Sequence, residues 1–534
     1  MSKVIDSLIT NFKKSKEVEE TGDRIKVHNV VGAAAFAYEK VRNAVDYMEE
    51  HLLRKNAIYR ILKRKLGLEK MILENYLLDK YHHDNIAEQL LQELLRGKYF
   101  KVISKKKIEE VDRIIRKYNK LLASIKDVSG NVDKKYHDTL LQFAAVEIEQ
   151  NLVPPTREKA LTRVMFSVMN TKIKVNDENV NQKEKELQIY VNCYRSLYKW
   201  DDATLAYLMF ILYYPQWENA DEKLIKSIAN KFEKIYVDID KQVNHPWRKH
   251  IIKILNKNAI IFHVLSDVVE KDIDKAHEVF DDPEMLENEI KKACNKRYKA
   301  VRVKLRRGVI RSIIYVFLTK MLLAIALEFP FDYYIEGAVN YTTAGINILF
   351  PPILMLVVAI LIRMPKKENT QYIIDEIKAI GLRGQTKKKY VLKSPKPRKT
   401  ANFIFKSIYF LTFIFSIMVI FWVLNKFDFN MFSSLIFVLF LTLVSFFGIR
   451  IRRPVKDLLA IEKRDNFLTV IIDFFALPFV SMGKWMSTKF SKINFFALFL
   501  DVIIEAPFKL LIEVIEDMFG FIKEKKDEVM NDSE

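Results

Sequence analysis

Lys320 stands deep inside an otherwise apolar run, VIRSIIYVFLTKMLLAIALEF (309–329). A charge at the centre of a membrane helix costs about 2.5–3.5 kcal/mol on insertion scales. It needs a counter-charge, water or a route to the surface. Acids that could serve it lie in two apolar C-terminal stretches: Asp473, Asp501 and Glu505, with Lys509 beside the last. The chemistry of such a set would be an intramembrane charged pathway. The plainer alternative is a lysine whose ammonium snorkels inward to the headgroups.

Other residues with reactive side chains assemble into nothing recognisable. His82-His83-Asp84 puts two imidazoles on adjacent residues, which point to different sides of a helix, unlike an i,i+4 metal pair. His277-Glu278 has no further ligand at useful spacing. Cys193 and Cys294 are far apart and form no C-x-x-C, which argues against a disulfide scaffold or a cysteine-based zinc site. Gly381-x-x-Gly384 lacks the Lys-Ser/Thr ending of a phosphate loop. There is no G-x-S-x-G and no kinase signature. No catalytic residue, metal or cofactor is therefore assigned, and an enzyme is the least favoured class.

The elements that must position Lys320 are helices. Four runs have the roughly 20 apolar residues that cross a bilayer: about 309–329, 343–363, 403–424 and 430–449. The second contains Pro351-Pro352, which should kink it. A tight turn near Asn425 and Asp428 joins the last two. The chain has 13 glycines in 534 residues, against roughly 37 at average usage. Glycine-rich phosphate loops, β-barrels and sandwiches are disfavoured.

The net charge of +20 divides unevenly: +8 over 1–300, +16 over 301–465 and −4 over 466–534. The excess borders the apolar runs. Arg306 and Arg307 precede the first, Lys387, Lys388 and Lys389 lie between the second and third, and Arg450, Arg452 and Arg453 follow the fourth. The loop after the first run holds acids and no Lys or Arg. Basic loops stay inside, so the expectation is an inner (plasma) membrane protein with both termini cytoplasmic. The same residues should meet anionic headgroups, at about 1 kcal/mol each. The 370–380 stretch, TQYIIDEIKAI, is amphipathic and suited to lying on the membrane. Nucleic acid is an unlikely partner, because the basic charge is not a stripe on a soluble domain. The N-terminus carries no cleavable signal pattern.

Two further apolar stretches, 467–482 and 493–522, are read as amphipathic or re-entrant helices at the cytoplasmic face, with additional spans as the alternative. Crossing by 467–482 would put Lys484, Lys489 and Lys492 outside.

Residues 1–300 show apolar residues at three- and four-residue intervals, as in Leu90, Leu91, Leu94 and Leu95. Pro154-Pro155 is the strongest internal break. Asp282-Pro283-Glu284 is a good helix start, leading as a basic stalk into the first span. The expected fold class is all-α: an N-terminal segment (1–29), helical units at 30–152 and 156–308, a membrane hairpin (309–363), a basic loop (364–402), a second hairpin (403–450), amphipathic helices (466–522) and a charged tail (523–534). Aromatic residues crowd 190–217. Core burial should take most of them, while Tyr213, Tyr214 and Trp217 of YYPQW are expected to be exposed for a protein partner because proline forces a turn.

HPWRKHIIKILNKNAIIFHVLSDVV (245–269), ENTQYIIDEIKAI (368–380), LPFVSMGKW (477–485) and LDVIIEAPFK (500–509) resemble stretches of multi-pass membrane proteins of uncultured small-genome bacteria. The resemblance implies this architecture and carries no activity. The function expected is a membrane-anchored helical scaffold or adaptor at the cytoplasmic face; the alternative is a transporter or channel component. Oligomeric state is left open.

Overall fold

A computed structural model describes residues 2–16, 25, 39, 49–74, 86–129, 133–175, 181–337, 340–383, 389–392, 399–461 and 467–492. These residues are almost all helical. In chain order the helices are α1 (Lys3–Lys16), α2 (Glu50–Glu74), α3 (Ile86–Arg96), α4 (Lys106–Ser129), α5 (Lys134–Leu152), α6 (Thr156–Lys172), α7 (Gln182–Tyr198), α8 (Asp202–Tyr213), α9 (Glu222–Ala229), α10 (Phe232–Val243), α11 (Arg248–Lys271) and α12 (Ala276–Asp281). They continue with α13 (Pro283–Leu323), α14 (Tyr341–Ile360), α15 (Lys367–Arg383), α16 (Lys399–Lys426), α17 (Met431–Lys456) and α18 (Phe467–Lys492). Contacts divide the chain into two units inside α11, between Leu255 and Asn256.

The N-terminal unit spans Lys3–Leu255 and also takes in Lys388–Lys393. Its helix starts follow the sequence. Asp201 caps α8 by accepting from the Thr204 amide at 2.9 Å, and Asp221 caps α9 through Leu224 at 2.8 Å. One hydrophobic cluster reaches from Ala57 to Val243 and joins residues on both sides of Pro154-Pro155. That break is thus a turn within one core, not a border between two helical units. Strands Ile173–Val175 (β1) and Tyr390–Leu392 (β2) pair in parallel, with Ile173 opposite Tyr390. The basic loop between the second and third apolar helices therefore lends a strand to this unit.

The second unit holds Asn256–Lys387 and Ser394–Asn494. Pro283–Ile335, Tyr341–Ile360, Phe403–Lys426 and Met431–Lys456 are each long and apolar enough to cross a membrane. Asp282 caps α13 as its sequence implies, accepting from the Glu284 and Met285 amides at 2.8 and 3.2 Å. The helix then runs unbroken from the basic stalk into the first apolar segment. Pro330 has no N–H to give the Ala326 carbonyl, and the helix adapts there with two π-helical turns, Ala324–Glu328 and Asp332–Glu336. Asn340 and Asn430 cap α14 and α17. Between α16 and α17, Asp428 takes a left-handed φ of 55° in the tight turn.

Helices α13, α14 and α17 pack on one another. Where α14 meets α17, a Cβ on Gly448 would lie 2.7 Å from Val358 Cγ1, so glycine sets the closeness of that crossing. Helix α15 is a correction to the membrane-lying reading. Its apolar face, Ile373, Ile377 and Ile380, is buried in protein. Asn369 pins it, donating to Tyr298 Oη and the Leu458 carbonyl at 2.9 Å each and accepting from Ala460 N at 2.8 Å. An amphipathic period alone does not say whether lipid or protein covers the apolar side.

Candidate functional site

The polar centre of the second unit is built on Lys320. Its side chain has no exposed surface, and its ammonium donates to Glu328 Oε1 on the same helix. Glu328, 2% exposed, accepts at its other oxygen from Asn347 Nδ2 of α14 at 2.7 Å. Lys320 Nζ also lies 5.1 Å from the ring centre of Phe440 on α17, a cation–π contact. Toward the 337–340 end, Asn430 donates to Asp332 at 2.7 Å, and Thr343 donates to the Phe427 carbonyl at 3.1 Å. Asn347 Oδ1 is buried and makes no hydrogen bond.

The counter-charge expected for Lys320 is therefore corrected. Among the described residues Glu328 holds it, and the ammonium is buried and does not snorkel. In an α-helix, residues eight apart are rotated by about 80° and do not meet. The π turn at Ala324–Glu328 inserts one extra residue, so Glu328 falls where an i+7 residue would stack over Lys320. Asp473 lies in α18, where its side chain is outside the described residues. Asp501, Glu505, Lys509, Lys387 and Lys388 are outside them altogether, as is His82-His83-Asp84.

Arg306 and Arg307 on α13 and Arg450, Arg452 and Arg453 on α17 are exposed, as is Lys389 next to β2. Because α13 and α17 run oppositely and pack together, the five arginines fall at one end of the bundle.

In the N-terminal unit, the expected exposure of YYPQW needs correction. Tyr213 is 43% exposed and Tyr214 is half-buried, but Trp217 has no exposed surface. The turn at Pro215–Asn219 folds Trp217 inward, where its indole donates to Glu147 Oε2 at 3.0 Å and to Tyr118 Oη at 3.1 Å. Lys117 completes this group, donating to Glu147 Oε1 at 2.5 Å and to the Trp217 carbonyl at 3.0 Å. Burial beside the Glu147 carboxylate holds the Tyr118 and Tyr207 phenols well above their ordinary range. Tyr213 sits near Asp238 of α10, and the residues before them in the chain, Leu212 and Val237, are exposed as well. Cys193 and Cys294 are buried free thiols. Among the described residues, no three His, Cys, Asp or Glu side chains converge as a metal cradle.

The described residues are all-α and include four helices long and apolar enough to cross a membrane, compatible with a multi-pass membrane protein. No family model, curated protein or solved structure matches the chain.

Proposed function

We propose that the protein is a membrane-anchored helical scaffold. The four apolar helices hold the chain in lipid, and the N-terminal unit presents a protein-binding surface at the cytoplasmic face. The observation that carries this reading is the enclosure of Lys320. A lysine lining an aqueous path must meet water, whereas this one is fully buried and neutralised on its own helix by Glu328. The bundle reads as a closed anchor.

The pairing of β1 with β2 supports a common side for the N-terminal unit and the loop between the second and third spans, since hydrogen-bonded strands cannot flank a bilayer. The basic loops favour the inside for that side, in the inner (plasma) membrane with both termini cytoplasmic. The exposure of Arg306, Arg307, Arg450, Arg452 and Arg453 supports contact with anionic headgroups, and that of Leu212, Tyr213 and Val237 supports contact with a protein partner.

Purification in native lipid, with identification of what co-purifies, tests the proposal. A Leu212→Asp, Tyr213→Asp variant should stay in the membrane and lose the protein that the wild type retains. Partners unchanged by the variant would overturn the assigned surface. Ion flux through reconstituted vesicles above that of empty ones would overturn the closed anchor. A transporter or channel component is the second reading, favoured by the π turns and the unpartnered Asn347 Oδ1; it requires flux that Lys320→Leu abolishes.

A further inference from the structure

Helix α18 follows the fourth span and would ordinarily be assigned to the aqueous side, because it carries Asp473, Pro478 and Lys484. Its contacts are with the membrane helices. Gly483 meets the backbone of Thr442 on α17 so closely that an added Cβ would collide with the Thr442 carbonyl and with Phe446 Cβ, the latter at 2.7 Å. Thr442 Oγ1 donates to Met486 Sδ at 3.6 Å. On the other side, Tyr409 Oη of α16 donates to the Leu477 carbonyl at 3.4 Å, and the rings of Phe415 and Phe475 are 6.3 Å apart. Phe479, Gly483 and Met486 form the buried stripe, at helical spacing.

Each of these contacts falls on the middle of α16 or α17, or on the half nearer Arg450. Those stretches are the apolar parts of the two helices. An exposed apolar surface of α18 takes in Phe474 and Leu477, on the side away from that stripe, and Phe475 at the stripe's edge beside α16, at 40%, 46% and 41%. It is continuous, through the Phe415–Phe475 contact, with the exposed Phe410, Leu411 and Met418 of α16. A helix seated at the depth of Thr442 and Phe415 shares whatever medium surrounds those residues. For large apolar side chains that medium is hydrocarbon, since an exposed apolar patch of this kind is not stable in water. Lys484 fits the same placement, because its four-carbon stem lets the ammonium reach headgroup level. Gly483 fits it too, because small residues are what allow helices to approach closely within lipid.

We infer that α18 is a fifth intramembrane helix, wedged against the third and fourth spans, with Phe474, Phe475 and Leu477 facing lipid hydrocarbon. The inference is independent of the scaffold reading and would survive its failure.

The test uses the full chain in lipid bilayers. Spin labels at Phe475→Cys and Leu477→Cys are compared with Leu411→Cys on the third span and Val237→Cys in the N-terminal unit. The two α18 positions should match Leu411→Cys: accessible to dissolved oxygen and shielded from a water-soluble nickel chelate. If they match Val237→Cys, the inference is wrong. The unsubstituted protein offers a second readout that no folding defect can confuse. A lipid-soluble carbene reagent should tag the peptide carrying Phe474 and Phe475 as strongly as the one carrying Phe410 and Leu411. Tagging no stronger than that of the peptide carrying Val237 would overturn it.

Discussion

Two buried lysine–glutamate pairs sit in the two units of this chain, and they are built differently. Lys117–Glu147 draws on three segments: α4, α5 and the Pro215–Asn219 turn. Its members find partners in each other, in Tyr118, in the Trp217 indole and in the Trp217 carbonyl. Lys320–Glu328 lies within one helix and meets its neighbours through the Asn347 hydrogen bond and the Phe440 ring. The first pair ties distant parts of the N-terminal unit's core together. The second neutralises a charge within the helix that carries it. Burial of an ion pair is weak support for stability, whereas removal of one partner is costly. The same chemistry thus serves as a cross-tie in one unit and as local neutralisation in the other.

Substitution separates the two designs. Glu147→Leu should have the largest effect, leaving Lys117 buried without its counter-charge at on the order of 3–5 kcal/mol. Thermal unfolding of the N-terminal unit within the full chain would show it as a large drop in midpoint. Glu328→Leu should cost somewhat less, about 2.5–3.5 kcal/mol on insertion scales, read as reduced membrane integration or a lower unfolding midpoint in lipid.

The N-terminal unit also has a pH dependence of its own. Burial, reinforced by the nearby Arg54 and Lys55 cations, lowers the His51 pKa from 6.5 to about 4. Its folded pKa lies below the unfolded one. The stability it contributes is present above pH 6.5 and is lost as pH falls toward 4, on the order of 1–3 kcal/mol. His51→Gln should flatten that part of the pH–stability curve, and an unchanged curve would show that another group carries it. The smallest effect is expected for Asn347→Leu. It removes one bond to Glu328 and also the unpartnered Oδ1, so the change should be about 1 kcal/mol or less.

The four spans and the helix start at Asp282-Pro283 were legible in the sequence, because hydropathy and capping act over neighbouring residues. The lone charge of Lys320 was legible for the same reason. Its partner was not. Glu328 lies at i+8, off the Lys320 face of any regular helix, and only the π turn beside Pro330 brings the two together. The presence of a proline eight to ten residues beyond a buried lysine, with an acid between, is the signal that could have found it. Trp217 failed in the opposite way: proline did produce the turn, but the turn folded the indole inward onto Glu147. For α15, the period was right and the covering medium was wrong, since only tertiary contacts distinguish a protein groove from a membrane surface.

Central to the closed anchor is the neutralisation of Lys320 by Glu328. A double-mutant cycle in lipid nanodiscs, with Lys320→Met, Glu328→Leu and the two combined, measures this directly through unfolding midpoints. The prediction is strong coupling: each single substitution destabilises, and the combined variant recovers most of the loss. Additive losses would contradict the pairing, and with it the closed anchor.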